Sequence, residues 1–171
     1  MSLLDSIKNN DIERLKAELH DNPSQNQLDI CLQEAAIKGF SGAVKILLKD
    51  GRANPAACSP AAADFAVAPN ETLSYALQMA SHQGFDDIVE MLLNDGRSDP
   101  SSGDYRAVKL AAAAGKTAVL KKIDDYFYDN YIDYKSKIGT ALADRIAWLL
   151  QSALDEQKSD SESSTYGMWN K

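Results

Sequence analysis

Sulfur and imidazole are scarce in this chain: it has two cysteines, Cys31 and Cys58, and two histidines, His20 and His82, in 171 residues. No Cys-x-x-Cys pair or Cys/His ligand spacing occurs, so no zinc site is expected and both thiols read as reduced. His20 closes a helical pattern and His82 stands two residues before a turn, so both read as exposed turn residues rather than as bases. Long apolar runs are missing too, which excludes a membrane-spanning helix. The N-terminus has no basic region followed by an apolar stretch, so a standard secretory signal is not expected. Positive charge is in deficit, with a net charge of −7 and a pI near 4.8, and bulk attraction to nucleic acid is therefore disfavoured. Neither a phosphate-cradling glycine loop nor a GxSxG elbow is present. The paired carboxylates Asp86-Asp87, Asp124-Asp125 and Asp129/Asp133 read as helix caps or solvated faces. The expectation is a non-enzymatic protein without metal or cofactor. It would be cytoplasmic or, alternatively, delivered into a host cell by a non-classical route.

What the chain does have is a phrase written twice. Gly39-Phe40-Ser41-Gly42-Ala43-Val44-Lys45-Ile46-Leu47-Leu48-Lys49-Asp50-Gly51-Arg52-Ala53-Asn54-Pro55 recurs as Gly84-Phe85-Asp86-Asp87-Ile88-Val89-Glu90-Met91-Leu92-Leu93-Asn94-Asp95-Gly96-Arg97-Ser98-Asp99-Pro100. A turn, a helix and a second turn in one register constitute an internal repeat. Each copy has Gly for a left-handed turn, then a cap at Ser41 or Asp86, then a core stripe of Val44, Leu47 and Leu48 or Val89, Leu92 and Leu93. Asp-Gly-Arg ends the helix and reverses the chain.

The rest of the chain fits the same register. Residues 2–19 place Leu3, Leu4 and Ile7 on one short helix and Ile12, Leu15 and Leu19 on a second, with Asn9-Asn10 between them and Pro23 as a stop. Leu28, Leu32, Ala35 and Ala36 mark the helix before Gly39, as Leu73, Leu77 and Ala80 do before Gly84. A fourth unit at 104–125 has Val108, Ala111 and Ala112, the turn Gly115, a cap at Thr117, and Leu120 and Ile123. Gly39 and Gly84 are 45 residues apart but Gly84 and Gly115 only 31, so 14 residues are inserted at 56–70. That stretch reads as a longer loop with one helical turn at Pro60–Phe65. Residues 126–157 contain an interleaved aromatic and acidic run followed by an amphipathic helix from 136, with Ile138, Leu142, Ile146, Leu149, Leu150 and Ala153 on one face. That helix reads as a cap over the end of the stack. Residues 158–171 are serine-rich and polar and read as a flexible tail. The fold class expected is all-α.

This register resembles the ankyrin repeat, a helix–turn–helix unit of about 33 residues. The resemblance covers residues 1–125 as four divergent units. It rests on Ala35-Ala36 and Ala111-Ala112 before the turn glycines, on Leu32 and Leu77 seven residues before them, on Val44 and Val89, and on the two Leu-Leu pairs. The family's Thr-Pro-Leu-His signature is absent: Ile30-Cys31-Leu32-Gln33 and Tyr75-Ala76-Leu77-Gln78 stand there instead. Its histidine bonds between repeats, so another group must replace it. The resemblance implies a solenoid capped by a C-terminal helix, acting as a protein–protein interaction scaffold or adaptor with a concave binding face. On that face it implies Gln33, Gln78 and Lys109, six residues before each turn glycine, together with Glu34, Tyr75, Tyr105 and Arg106. A second reading makes the chain an inhibitor or effector working through its C-terminal region. There Trp148 lies off the apolar stripe, where it either packs on the Tyr126–Tyr134 segment or meets a partner.

Overall fold

The computed structural model describes residues 2–58, 74–130 and 133–166, with side chains to Asp155. Every regular element among them is a helix: α1 (Leu3–Lys8), α2 (Ile12–Leu19), α3 (Gln25–Lys38), α4 (Ser41–Asp50), α5 (Tyr75–Gln83), α6 (Asp86–Asp95), α7 (Ser102–Ala113), α8 (Thr117–Asp129) and α9 (Thr140–Tyr166). Successive helices pair as hairpins, α1 with α2, α3 with α4, α5 with α6 and α7 with α8. The first helices pack in series, α1 on α3 on α5 on α7, and the second helices do the same from α2 to α8. Helix α9 lies against α7 and α8 at the end of the stack.

The core follows the repeated stripe. Leu32, Ala35, Ala36, Val44, Leu47, Leu77, Ala80, Val89, Leu92, Val108, Ala111, Ala112 and Ile123 are fully enclosed. The alanine pairs let the first helices approach closely, and the leucines of the second helices fill the space between layers. Asn10 (φ +51), Gly39, Gly84 and Gly115 all take the left-handed conformation at one place in the register, so Asn10 is the turn residue of the first unit. The residue after it, rather than the one expected, caps the following helix. Phe40, Phe85 and Lys116 adopt φ near −85° and ψ near 75°, the inverse γ-turn conformation. Ser41, Asp86 and Thr117 are thus the first helical residues and make no capping bond to their own helix. Ser41 donates instead to Asp87 of the next unit.

Asp-Gly-Arg does more than reverse the chain. The Asp95 carboxylate holds the Arg97 guanidinium in a two-point fork at 2.7 and 2.9 Å, and Arg97 Nη1 then donates to the Gly51 and Ala53 carbonyls of the preceding unit at 2.9 and 2.8 Å. One unit earlier, Asp50 forks Arg52, which donates to the Leu19 carbonyl at 2.8 Å. These arginines bond between units, the work the sequence left to be assigned. The Arg52 fork holds the Asp50 carboxyl below its ordinary value of 3.8. Its contribution is therefore whole above that value and is lost as pH falls through the lower folded one. Lysine keeps the charge but not the fork. Arg97→Lys is expected to cost about 1 kcal/mol, allowing for its partial exposure, and to lower Tm by about 2–4 °C in a thermal melt.

The structure also moves three boundaries. Helix α8 runs to Asp129, so the division expected after residue 125 falls inside a helix. The last helix begins at Thr140 rather than 136, and its backbone continues to Tyr166, through most of the span read as a flexible tail. The helical turn expected at Pro60–Phe65, like Leu73 and most of the 56–70 insertion, lies outside the described residues.

Candidate interaction surface

The helical register decides which side of each first helix faces away from the core. On α3 the buried side carries Leu28, Cys31, Leu32, Ala35 and Ala36. Ile30, Glu34 and Ile37, spaced i, i+4 and i+7, lie on the opposite side and are each half-buried. The same three places on α5 are Tyr75, Met79 and His82, and on α7 Arg106, Leu110 and Ala113. Because α3, α5 and α7 pack side by side, these triplets form one strip across three units. Neither the core nor the partly buried side chains packed against it include Ile30, Ile37, Tyr75, Met79 or Leu110. The strip therefore has an apolar middle, with Glu34 towards one end and the exposed Arg106 at the other.

Of the residues expected on this face, Glu34, Tyr75 and Arg106 are on it. Gln33 and Gln78 are not; they are only 4% and 3% exposed. Six places before the turn glycine, the side chain points towards the connecting loops. The Gln33 amide donates to the Cys58 carbonyl at 2.8 Å, tying down the irregular exit segment of its own unit. Lys109 is half-buried and pairs with Asp104. Tyr105 turns the other way, towards α8 and the segment that precedes α9, 6.0 Å from the Phe127 ring and 6.4 Å from that of Tyr134. It does so through a left-handed turn at Gly103, Asp104 and Tyr105, after which the right-handed part of α7 begins at Arg106. Ser74, also left-handed and just before α5, holds the equivalent place; its hydroxyl accepts the Asp99 N–H at 3.0 Å.

The C-terminal aromatics divide into an inner and an outer set. Phe127 and Tyr134 stack at 4.4 Å, and the Tyr134 hydroxyl donates to Asp124 at 2.9 Å, which Lys135 also approaches at 2.7 Å. Burial, and then the Asp124 carboxylate, push the Tyr134 phenol well above its ordinary value. Trp148 is not part of this cluster. It is 67% exposed, on the side of α9 turned away from α8, so the expected internal packing on the Tyr126–Tyr134 segment does not occur. Tyr128 and Leu154 are exposed as well.

His20 and His82 are both exposed. Among the described residues, no three His, Cys, Asp or Glu side chains gather as metal ligands would, and no helix is long and apolar enough to cross a membrane. Burial pushes the Cys31 thiol from 9.0 up to about 12, with Glu18 and Glu34 adding in the same direction. An unfolded chain ionises this thiol first, so its contribution to stability is whole below pH 9 and drains away as pH rises towards 12. A thiol reagent at pH 8 is expected to label exposed Cys58 at once and Cys31 only as fast as the fold opens.

The strip residues that the sequence reading left out, Ile30, Ile37, Met79 and Leu110, had a visible signal. Apolar residues stand on both sides of α3 and α5 and, at Leu110, of α7, and one core can absorb only one side. Compared with protein-family models, with curated proteins and with solved structures, the chain finds no match.

Proposed function

We propose that the chain is a non-enzymatic protein–protein interaction module of four ankyrin-like repeats, a scaffold or adaptor that binds a protein partner along the strip on α3, α5 and α7. The observation that carries this reading is the strip itself: Ile30, Ile37, Tyr75, Met79 and Leu110, left outside the core on the same face of three successive first helices. Tyrosine, methionine and arginine are favoured contact residues, and the apolar strip flanked by one acid and one base has the composition of an interface. Rigid display is the mechanism. The guanidinium bonds between units fix the spacing of the helices in advance, so little ordering entropy is lost on binding.

Affinity capture from the native cell tests it, with the wild-type chain beside Tyr75→Ala/Met79→Glu/Arg106→Glu and beside Trp148→Ala. All three should give the same helical circular dichroism. The triple variant is expected to recover its partner at least ten-fold less well, and Trp148→Ala to recover it normally. The opposite pattern would discard the strip and favour the second reading, an inhibitor or host-directed effector acting through the C-terminal region. That reading draws its support from the exposed Trp148.

A further inference from the structure

The first two joints between units are each closed by an arginine. Arg52 reaches back to the Leu19 carbonyl and Arg97 to the carbonyls of Gly51 and Ala53, and each is held in its own carboxylate fork. The third joint repeats the acceptors without the arginine. Gly84 and Gly115 are 31 residues apart, which sets Tyr126, Phe127 and Tyr128 at the places of Asp95, Gly96 and Arg97. With Phe127 where the left-handed glycine stood, α8 runs on to Asp129, and Tyr128 is 82% exposed. Gly96 and Ser98 hold the places of Gly51 and Ala53. Among the described residues no donor reaches either carbonyl, and the Ser98 hydroxyl, on a residue only 3% exposed, has no partner either. Gly96 and Tyr126 both line a groove of about 530 Å³ between α6 and α8, whose charged lining is Glu90, Lys122, Asp125 and Asp129. Glu90 and Lys122 pair at 2.6 Å, which leaves the groove with the charge of Asp125 and Asp129, one helical turn apart on α8 and both exposed.

We propose that this groove receives an arginine side chain presented by a partner protein. The acceptors are those that take a guanidinium one unit earlier: the Gly96 carbonyl answers to that of Gly51, and the Ser98 carbonyl to that of Ala53. Asp125 and Asp129 supply carboxylate where Asp95 supplies it for Arg97, and Tyr126 brings a ring on which a planar cation can stack. Lysine fits less well, because two carbonyls and a carboxylate ask for several donors in one plane. Free arginine also fits less well: its own carboxylate would lie near Asp125 and Asp129, whereas an arginine within a chain carries none. A basic partner surface suits a chain of net charge −7 as well. This groove belongs to the second helices α6 and α8 and does not depend on the α3–α5–α7 strip.

The probe is acetyl-Gly-Arg-Gly-amide, titrated at low salt into the isotope-labelled full chain and followed by NMR. A saturable shift of the Gly96 amide is expected. Affinity should fall about ten-fold for the lysine tripeptide, the citrulline tripeptide and free arginine, and by as much for the arginine probe with Asp125→Asn/Asp129→Asn. It should stay unchanged with Trp148→Ala. Both acids are exposed and close to the C-terminal end of α8, where negative charge does not favour a helix, so their variant should melt no lower than the wild type. Absence of a saturable shift overturns the proposal, as does equal binding of lysine, citrulline or free arginine, or indifference to the aspartate variant. A dimer of the chain that the same variant dissolves overturns it too, because the arginine would then come from a second copy.

Discussion

Phe127→Ala is expected to lower the free energy of unfolding by about 3–5 kcal/mol, the range for emptying a fully enclosed aromatic site. Phe127 is 1% exposed and is the hub of the end cap: Tyr134 stacks on it, and Tyr105 and Tyr126 approach its edge at 6.0 Å. Removing the ring takes away the surface that orders Tyr134. Its hydroxyl bond to Asp124 then loses its support, and with it the turn that sets the direction of α9. The damage should be polarised, because units in a stack touch only their neighbours. Hydrogen exchange should show α9 and α8 losing protection first, with α3 to α6 opening later. A loss below about 1 kcal/mol in denaturant titration, or uniform loss of protection, would mean that the ring is not the hub of this interface.

Gly39→Ala should be nearly as damaging, and Gly115→Ala mild, although the same residue type turns the chain at the same place. Both glycines have positive φ, +74° and +65°, where an alanine costs about 1–2 kcal/mol. At Gly115 that is the whole cost. At Gly39 the added methyl meets the outer end of the Phe85 ring, and forcing apart a packed joint adds about 1–3 kcal/mol. Thermal melts of the two variants should therefore differ clearly, with Gly39→Ala the lower. Equal melting points would show that Phe85 moves aside freely, and would remove the basis for treating its approach to Gly39 as a specific contact.

Much of this architecture could be read along the chain because it depends on periodicity. Leu32, Val44, Leu77, Val89 and Leu92 are spaced for one helix face, and any helix that buries that face puts them inside. The left-handed glycines were legible for a similar reason: few residues other than glycine tolerate that conformation, and Asn10 in the first unit is among them. The candidate surface was less legible. Gln33 and Gln78 are polar and recur in register, as interface residues would, but recurrence also marks a structural bond made once per unit. Polarity alone cannot separate the two. Trp148 shows the converse: an amphipathic pattern puts it off the stripe, and only the position of α8 relative to α9 decides that no aromatic neighbour reaches it.

The sequence by itself determined the helices, their pairing through glycine turns and the identity of the enclosed stripe, because those follow from backbone sterics and helical spacing within a short stretch of chain. Only the tertiary structure decided what lies between units: that Arg52 and Arg97 bond across the joints, that Phe85 and Lys116 sit over the glycines before them, and that among the described residues nothing sits over Gly115. Such contacts join residues far apart in the chain. Their geometry depends on how one helical hairpin lies against the next, and no local pattern encodes it.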